Sequence, residues 1–587
     1  MGWPVASCSS FRVRSSEVDS VSRSVDLGLT LAPDSPDRLT LPHFLEDVVG
    51  RFASRVAFRF EGADTRYADF AETVRQLSAR LLQAGIEPGE RVAILISNRP
   101  EWALALFAIS RIGAIAVPVS TFATPDEREF ILGHSDACFL LMQRHLVGRD
   151  FVAELVQSHP DLEAARRDAF KLERLPDLRG IVCLGIEETV AGIEPWSKFF
   201  ERDCVEVDDR VEERIAAVGP DDSGLLIYTS GTTDRPKGVL HSQKAAVIQS
   251  WRFAELLGLV PEDVVLTAQP FFWTAGICMS LGATLAAGAR LVLQETFDAE
   301  ATLDGIETER ATTLHAWVHQ EKAMAEHPTA KGRDFGPLHR VEFDSPLASL
   351  AGLTEDVWGI HASYGMTETF TLVSALPTWA TAEERTGNSG RPLPGMEIRI
   401  VDPDSGNPCA IDQHGEIIVR GVTLMQGYWK VPLENVLDAE GFFHTGDGGS
   451  LDELGRLHWK GRMSGMIKTG GANVSPLEVE KAAADLPAVR AAIALGVPHP
   501  TLGEALILCV VPTAGNHIDQ AALRSQLRER LAAYKVPRVI LVVSEADAPV
   551  TGTQKLQTDA LRALAIERLA ATRTEIAGHI FGADPIR

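Results

Sequence analysis

Three consecutive segments restrict the fold more than anything else in the chain: RVAILISN (91–98), EWALALFAISRIG (101–113) and AIAVPVST (114–121). The first and third are short apolar runs rich in β-branched residues. The second is apolar around most of its circumference and has the length of a helix. A strand, a buried helix and a second strand in immediate succession pack as a parallel strand pair with the helix covering one face. GIVCLGIE (180–187) and ARLVLQET (289–296) repeat the strand pattern. The expectation is an α/β protein whose large N-terminal domain contains parallel sheets with covering helices.

At 587 residues the chain exceeds what one hydrophobic core supports, so two or more domains are expected. After about residue 395 the texture changes. MEIRIVDP (396–403), GEIIVRGV (415–422) and LHWKGRM (457–463) read as short strands separated by turns, a small antiparallel unit. From Val474 a helix, two strands, a helix at Gln520 to Ala533 and a strand at Arg538 to Val543 form a compact α+β module. The expected division is 1–38 as a disordered leader, 39–461 as the N-terminal domain and 462–587 as a small mobile C-terminal domain.

A formal charge of -24 argues against DNA or RNA as a partner, because their phosphate backbones need a basic face. Seven scattered cysteines without a C-x-x-C pair read as reduced thiols of a cytoplasmic protein rather than a disulfide framework or zinc site. Residues 264–289 carry no charge, but Gln269, Pro270 and three glycines make a buried strand, loop and helix the expectation, with no integral membrane segment. Oligomeric state is not readable.

YTSGTTDRPKG (228–238) crowds hydroxyls, glycines and one lysine into a segment that no ordinary strand or helix needs. Such groups are what a protein presents to phosphate oxygens. A surface turn would use the same residues. No Gly-Lys pair occurs in the chain, so the Walker P-loop is excluded by its spelling.

Four more motifs follow in order: YGMTET (364–369), GFFHTGDG (441–448), GRMSGMIKTGGANVSPLEVE (461–480) and PVTGTQKLQT (549–558). Together with YTSGTTDRPKG they resemble the adenylate-forming superfamily of acyl-CoA synthetases, firefly-type luciferases and peptide-synthetase adenylation domains. The resemblance covers the chain after about residue 40, and is nearest to a bacterial acyl- or aryl-CoA ligase. It implies ATP, Mg²⁺ and coenzyme A as ligands. It implies that Thr229, Ser230, Gly231, Thr232, Thr233 and Lys237 wrap the triphosphate. Tyr364 and Gly365 would lie at the adenine, Thr367 would bond the α-phosphate, and Glu368 would hold Mg²⁺ with Thr229. Asp447 and Arg462 would contact the ribose, and Ser345 falls in a partial match to the adenine wall. Lys555 would serve adenylation; Lys468, Gly470 and Gly471 would face coenzyme A after a rotation about Ser464. Two departures are Gly465, where relatives often have an acidic residue, and Gln554, where they usually have glycine.

By the same resemblance the acid pocket falls at FFWTAG (271–276) and HAWVH (315–319), offering Trp273, Gly276, His315 and Trp317. Plain core packing would use the same aromatics. No Lys or Arg in these segments offers a partner for a second substrate carboxylate, so a monocarboxylic acid is favoured. Coenzyme A is the leading acceptor, and an amine or a carrier protein is the alternative; no L-G-G-x-S carrier site follows in this chain. A non-catalytic nucleotide-binding homologue would not need both Lys555 and Lys468. A membrane transporter spanning at 264–289 ranks last.

Overall fold

The computed structural model describes residues 26–32, 35–165, 170–202, 208–229, 236–360, 362–463, 467–469, 472–474, 476–513, 516–531, 535–544 and 558–582. The three opening segments form β1 (Arg91–Leu95), α1 (Pro100–Arg111) and β2 (Ile115–Pro118). Pro100 starts α1 where a missing N–H costs nothing. Every residue from Trp102 to Arg111 is buried, as an all-round apolar helix requires.

β1 pairs in parallel with β2 and with β3 (Ala137–Gln143), which pairs in parallel with the strand Ile181–Leu184. On the other side β2 meets β4 (Ser223–Thr229) in parallel, and β4 turns back as a hairpin into β5 (Lys237–Ser242). A second sheet aligns β6 (Val264–Thr267), β7 (Arg290–Leu293) and β8 (Thr313–His315) in parallel with Val56–Phe60. One continuous core joins Val92, Ile94 and Leu225 of the first sheet to Phe58, Val265 and Leu291 of the second, with α1 contributing Trp102 and Phe107.

Between β6 and β7 the uncharged stretch runs through a turn into a π-helical segment, Gly276–Gly282, that continues as the α-helix Ala283–Ala287. A Cβ at Gly276 would fall 2.0 Å from the Pro270 carbonyl oxygen, so this turn admits only glycine. Among the described residues no helix is long and apolar enough to cross a membrane.

β9 (Ser363–Met366) and β10 (Thr371–Ala375) form an antiparallel pair, and four antiparallel strands follow: Met396–Val401, Gly415–Gly421, β11 (Phe443–Leu451) and β12 (Leu457–Arg462). The short strand Gly427–Tyr428 leaves this unit to pair with β5, tying it to the first parallel sheet. The smaller C-terminal part centres on the long antiparallel strands Val489–His499 and Gly503–Pro512, with Val539–Val542 alongside. Its two apolar clusters draw only on residues from 467 onward. The helix expected over Gln520 to Ala533 ends at Arg530. Leu531 is already extended, at φ -121° and ψ 145°, and stays buried in that core.

Candidate active site

The hairpin β4–β5 brings Thr229 opposite Lys237 and thereby closes both ends of the segment 230–235. Ser230, Gly231, Thr232 and Thr233 lie outside the described residues. The hairpin is fixed from behind, where Tyr228 Oη lies 2.8 Å from His134 Nδ1. Lys237 is exposed, and its Nζ lies 5.0 Å above the ring of Tyr428. On β5, His241 is fully buried and edge-on to Phe370. Burial depresses its pKa to about 3. Neither ring nitrogen makes a hydrogen bond of normal geometry, and the Thr367 backbone is the polar group that faces it.

The turn between β9 and β10 carries Thr367 and Glu368. Gly365 sits where a Cβ would lie 1.5 Å from the Thr371 carbonyl oxygen, so the chain can double back only through glycine. Phe370 and Thr371 follow with φ of 49° and 92°. The second value is strained for a β-branched residue. Three residues hold the turn. Gln249 donates to the carbonyls of Thr369 (3.1 Å) and Leu372 (2.6 Å). Met425 N donates to the Glu368 carbonyl at 2.7 Å, and the Tyr428 hydroxyl donates to Glu368 Oε1 at 2.7 Å.

Tyr364 and Asp447 are brought together across 83 residues: the Tyr364 hydroxyl donates to Asp447 Oδ2 at 2.7 Å. Tyr364 is 7% and Asp447 4% exposed. Burial raises the Asp447 pKa above the ordinary aspartate value, against the opposing effects of the Tyr364 hydrogen bond and the Arg462 charge. Arg462 faces Asp447 across the β11–β12 pairing, with Nε 3.0 Å from Oδ1. That approach has an angle unsuited to a hydrogen bond, so among the described residues the buried Oδ1 accepts no hydrogen bond of normal geometry. The Trp459 ring lies 6.3 Å from that of Tyr364.

Trp273 stands in an aromatic row. Its ring centroid lies 5.3 Å from Phe272, 6.2 Å from Phe122 and 6.1 Å from Trp317, each pair roughly edge to face. Phe122 and Trp317 are 46% and 43% exposed, so the row has a solvent-facing side. His315, by contrast, is buried, with Nδ1 3.0 Å from Ser280 Oγ and its pKa lowered by burial to about 4. Gly276 is buried at the start of the π segment, three residues after Trp273. Ser345 is engaged by its own turn and by Glu321, to which its hydroxyl donates at 2.8 Å. The π segment touches the Thr371 side chain through Cys278 Sγ at 3.2 Å, joining the aromatic row to the Glu368 turn.

Lys468 lies on the strand Ile467–Thr469, its backbone opposite Asn473. Its side chain, and Ser464, Gly470, Gly471 and Lys555, lie outside the described residues. Tyr428, Gln249, His241 and Phe122 were not singled out from the sequence. Only Tyr428 carried a local signal, as the first of two adjacent aromatics after Gly427 and before Lys430.

The arrangement offers one recessed carboxylate with an unused acceptor, one carboxylate oriented by a phenol, and a lysine that follows the glycine- and hydroxyl-rich segment 230–235 in sequence. The sequence profile described as AMP-binding enzyme matches residues 45–429, and the AMP-binding enzyme C-terminal domain matches 478–555. A feruloyl-CoA synthase from Amycolatopsis sp is 33% identical over 85% of this chain and 94% of its own length. An indoleacetate–CoA ligase from Aromatoleum aromaticum is 29% identical over 91% of this chain and 100% of its own. Among solved structures, an amide bond synthetase from Marinactinospora thermotolerans superposes with a TM-score of 0.72 at 28% identity, covering 89% of this chain and 99% of that one.

Proposed function

The chain belongs to the AMP-binding enzyme family, and from that premise we propose that it is an ATP-dependent carboxylic acid:CoA ligase working through an acyl-adenylate. The observation that carries this reading is the Tyr364–Asp447–Arg462 group with its unused Oδ1, beside a turn bearing Thr367 and Glu368.

A carboxylate is a poor electrophile, because two negatively charged oxygens shield its carbon. In the first step a carboxylate oxygen attacks the α-phosphorus of ATP, the bond to the β-phosphate oxygen breaks, and pyrophosphate leaves. In the second the coenzyme A thiolate attacks the acyl carbon, the bond to the AMP oxygen breaks, and AMP leaves with the electron pair. Catalysis of the first step is mainly positioning and charge stabilisation. Asp447 Oδ1 accepts from the ribose hydroxyls, and Arg462 adds a second contact there. Tyr364 and Gly365 form one side of the adenine site, with Ser345 beyond it. Thr367 donates to the α-phosphate. Thr229, Ser230, Gly231, Thr232, Thr233 and Lys237 wrap the β- and γ-phosphates.

Glu368 and Thr229 would hold a hard cation, Mg²⁺, through their oxygen donors. When bound, Mg²⁺ neutralises part of the triphosphate charge. Lys555 supports adenylation and Lys468, Gly470 and Gly471 the thioester step, after the C-terminal domain turns about Ser464. The aromatic row at Trp273 and Trp317 receives the acid, with Gly276 and His315 behind it. Free buried Cys138, Cys183, Cys278 and Cys509 fit a cytoplasmic setting, where ATP and coenzyme A are supplied.

An amine acceptor is the second reading, favoured by the amide bond synthetase fold match. The deciding experiment incubates purified protein with ATP, Mg²⁺ and a panel of fatty, aryl and polycyclic acids, with and without coenzyme A, under mass spectrometry. AMP together with an acyl-CoA mass supports the ligase. Acyl-AMP that accumulates without thioester redirects the search to amines or carrier proteins, and no AMP from any acid refutes adenylation.

A further inference from the structure

We infer that Tyr428 is a positioning residue that holds Lys237 and Glu368 in one fixed relation, its hydroxyl orienting the Glu368 carboxylate toward the cation that accompanies ATP. The inference rests on the ligase reading above for the identity of that cation and nucleotide.

Two opposite charges from distant parts of the chain meet one side chain. The ammonium of Lys237 lies over the ring face at 5.0 Å, and the carboxylate of Glu368 accepts from the hydroxyl at 2.7 Å. The first is a cation–π contact and the second a charge-assisted hydrogen bond, so a single phenol serves the phosphate-loop lysine and the acidic turn at once. Donation to Oε1 fixes the plane of the carboxylate and leaves its other lone pairs for a cation.

Tyr428 is itself held rigidly. Its strand pairs with β5 at Val239, and Trp429 N donates to the Gly238 carbonyl at 2.7 Å. The Trp429 indole donates to the His134 carbonyl at 3.0 Å and lies under the Arg91 guanidinium at 5.3 Å. The Tyr428 ring meets Phe443 edge to face at 6.3 Å. A phenol anchored on a strand paired with the phosphate hairpin cannot shift relative to Lys237 without breaking the sheet edge.

Tyr428→Phe keeps the ring under Lys237 and removes only the hydroxyl. The test measures Mn²⁺ binding to the protein–ATP complex by electron paramagnetic resonance, ATP binding without metal by calorimetry, and the Mg²⁺ dependence of pyrophosphate release. The expected result is a weakening of Mn²⁺ binding by about tenfold or more. Metal-free ATP affinity and Tm should be unchanged, and the effect should vanish in a Glu368→Gln background. Tyr428→Leu should in addition weaken metal-free ATP binding, because the face under Lys237 is lost. Unchanged Mn²⁺ affinity in Tyr428→Phe, or an equal effect with and without Glu368, overturns the inference, as does a wild type that binds no Mn²⁺–ATP. A wild type that binds Mn²⁺–ATP but releases no AMP with any acid overturns the ligase reading alone, and the binding comparison still decides the role of Tyr428.

Discussion

Tyr364 donates its hydroxyl to Oδ2 of Asp447 at 2.7 Å, coupling the strand before the Glu368 turn to the strand that faces Arg462. The bond satisfies one carboxylate oxygen and leaves the other, buried and without a hydrogen bond among the described residues, on the side of Arg462. A buried carboxylate of this kind costs stability and is retained where a ligand uses it.

Asp447→Asn should therefore separate stability from activity. The folded-state pKa of Asp447 is raised, so folding favours the protonated form, and stability is lost as pH rises from the ordinary aspartate value through the raised one. The asparagine variant should match or exceed the wild-type Tm at pH 7, and the difference should disappear below about pH 4. Its ATP KM should rise by tenfold or more. Thermal melts across pH and steady-state kinetics check both halves; a lower Tm at pH 7 contradicts the assignment of a burial cost.

His241 and His315 predict the acid limit of the fold. Burial depresses their pKa values to about 3 and about 4, so the unfolded chain binds more protons than the native one below the ordinary histidine value. Stability should fall as pH drops from about 6.5 toward 4, with a slope approaching 1.4 kcal/mol per pH unit for each histidine. Denaturant midpoints measured over that range give the slope, and His315→Gln should reduce it.

Gly365→Ala should abolish acyl-AMP formation. The added methyl would lie 1.5 Å from the Thr371 carbonyl oxygen, which is backbone and cannot swing aside. The turn bearing Thr367 and Glu368 must then rebuild, and a loss of at least 100-fold in AMP release is expected. Gly332→Ala, at φ 89° with nothing within 4 Å, is the control: it should cost about 1 kcal/mol in stability and leave activity intact.

Trp273→Ala and Trp317→Ala should change which acid is used without changing ATP binding. The two rings lie 6.1 Å apart, and each removes a large apolar surface when truncated. For the preferred acid, kcat/KM should fall by about 10- to 200-fold. Competition assays with mixed acids read the shift; parallel loss of ATP affinity would assign the row to core packing instead.

Lys555→Ala should block acyl-AMP formation and leave thioester formation from supplied acyl-AMP largely intact, while Lys468→Ala should show the reverse bias. Rapid-quench assays of each half-reaction separate them. Equal loss of both half-reactions in both variants would contradict the division of labour between the two lysines.

The sequence by itself determined what is local. Residues 91–121 alternate strand, buried helix and strand because their apolar pattern switches period within about thirty residues, and β1, α1 and β2 follow it. The five motifs likewise identified the family, since each is a short run whose residue types serve one chemistry. Tertiary structure alone decided which side chains meet. Tyr428 and Glu368 are 60 positions apart, and Tyr364 and Asp447 83. His315 reads from the sequence as a polar group in the acid segment, yet the register of β8 against β6 turns it inward to Ser280, while Trp317, two residues later, emerges half-exposed where the strand has ended. Local spacing sets period and turn chemistry, but the neighbours of a side chain are chosen by how sheets pair and pack. Those contacts are made between segments that carry no mark of one another.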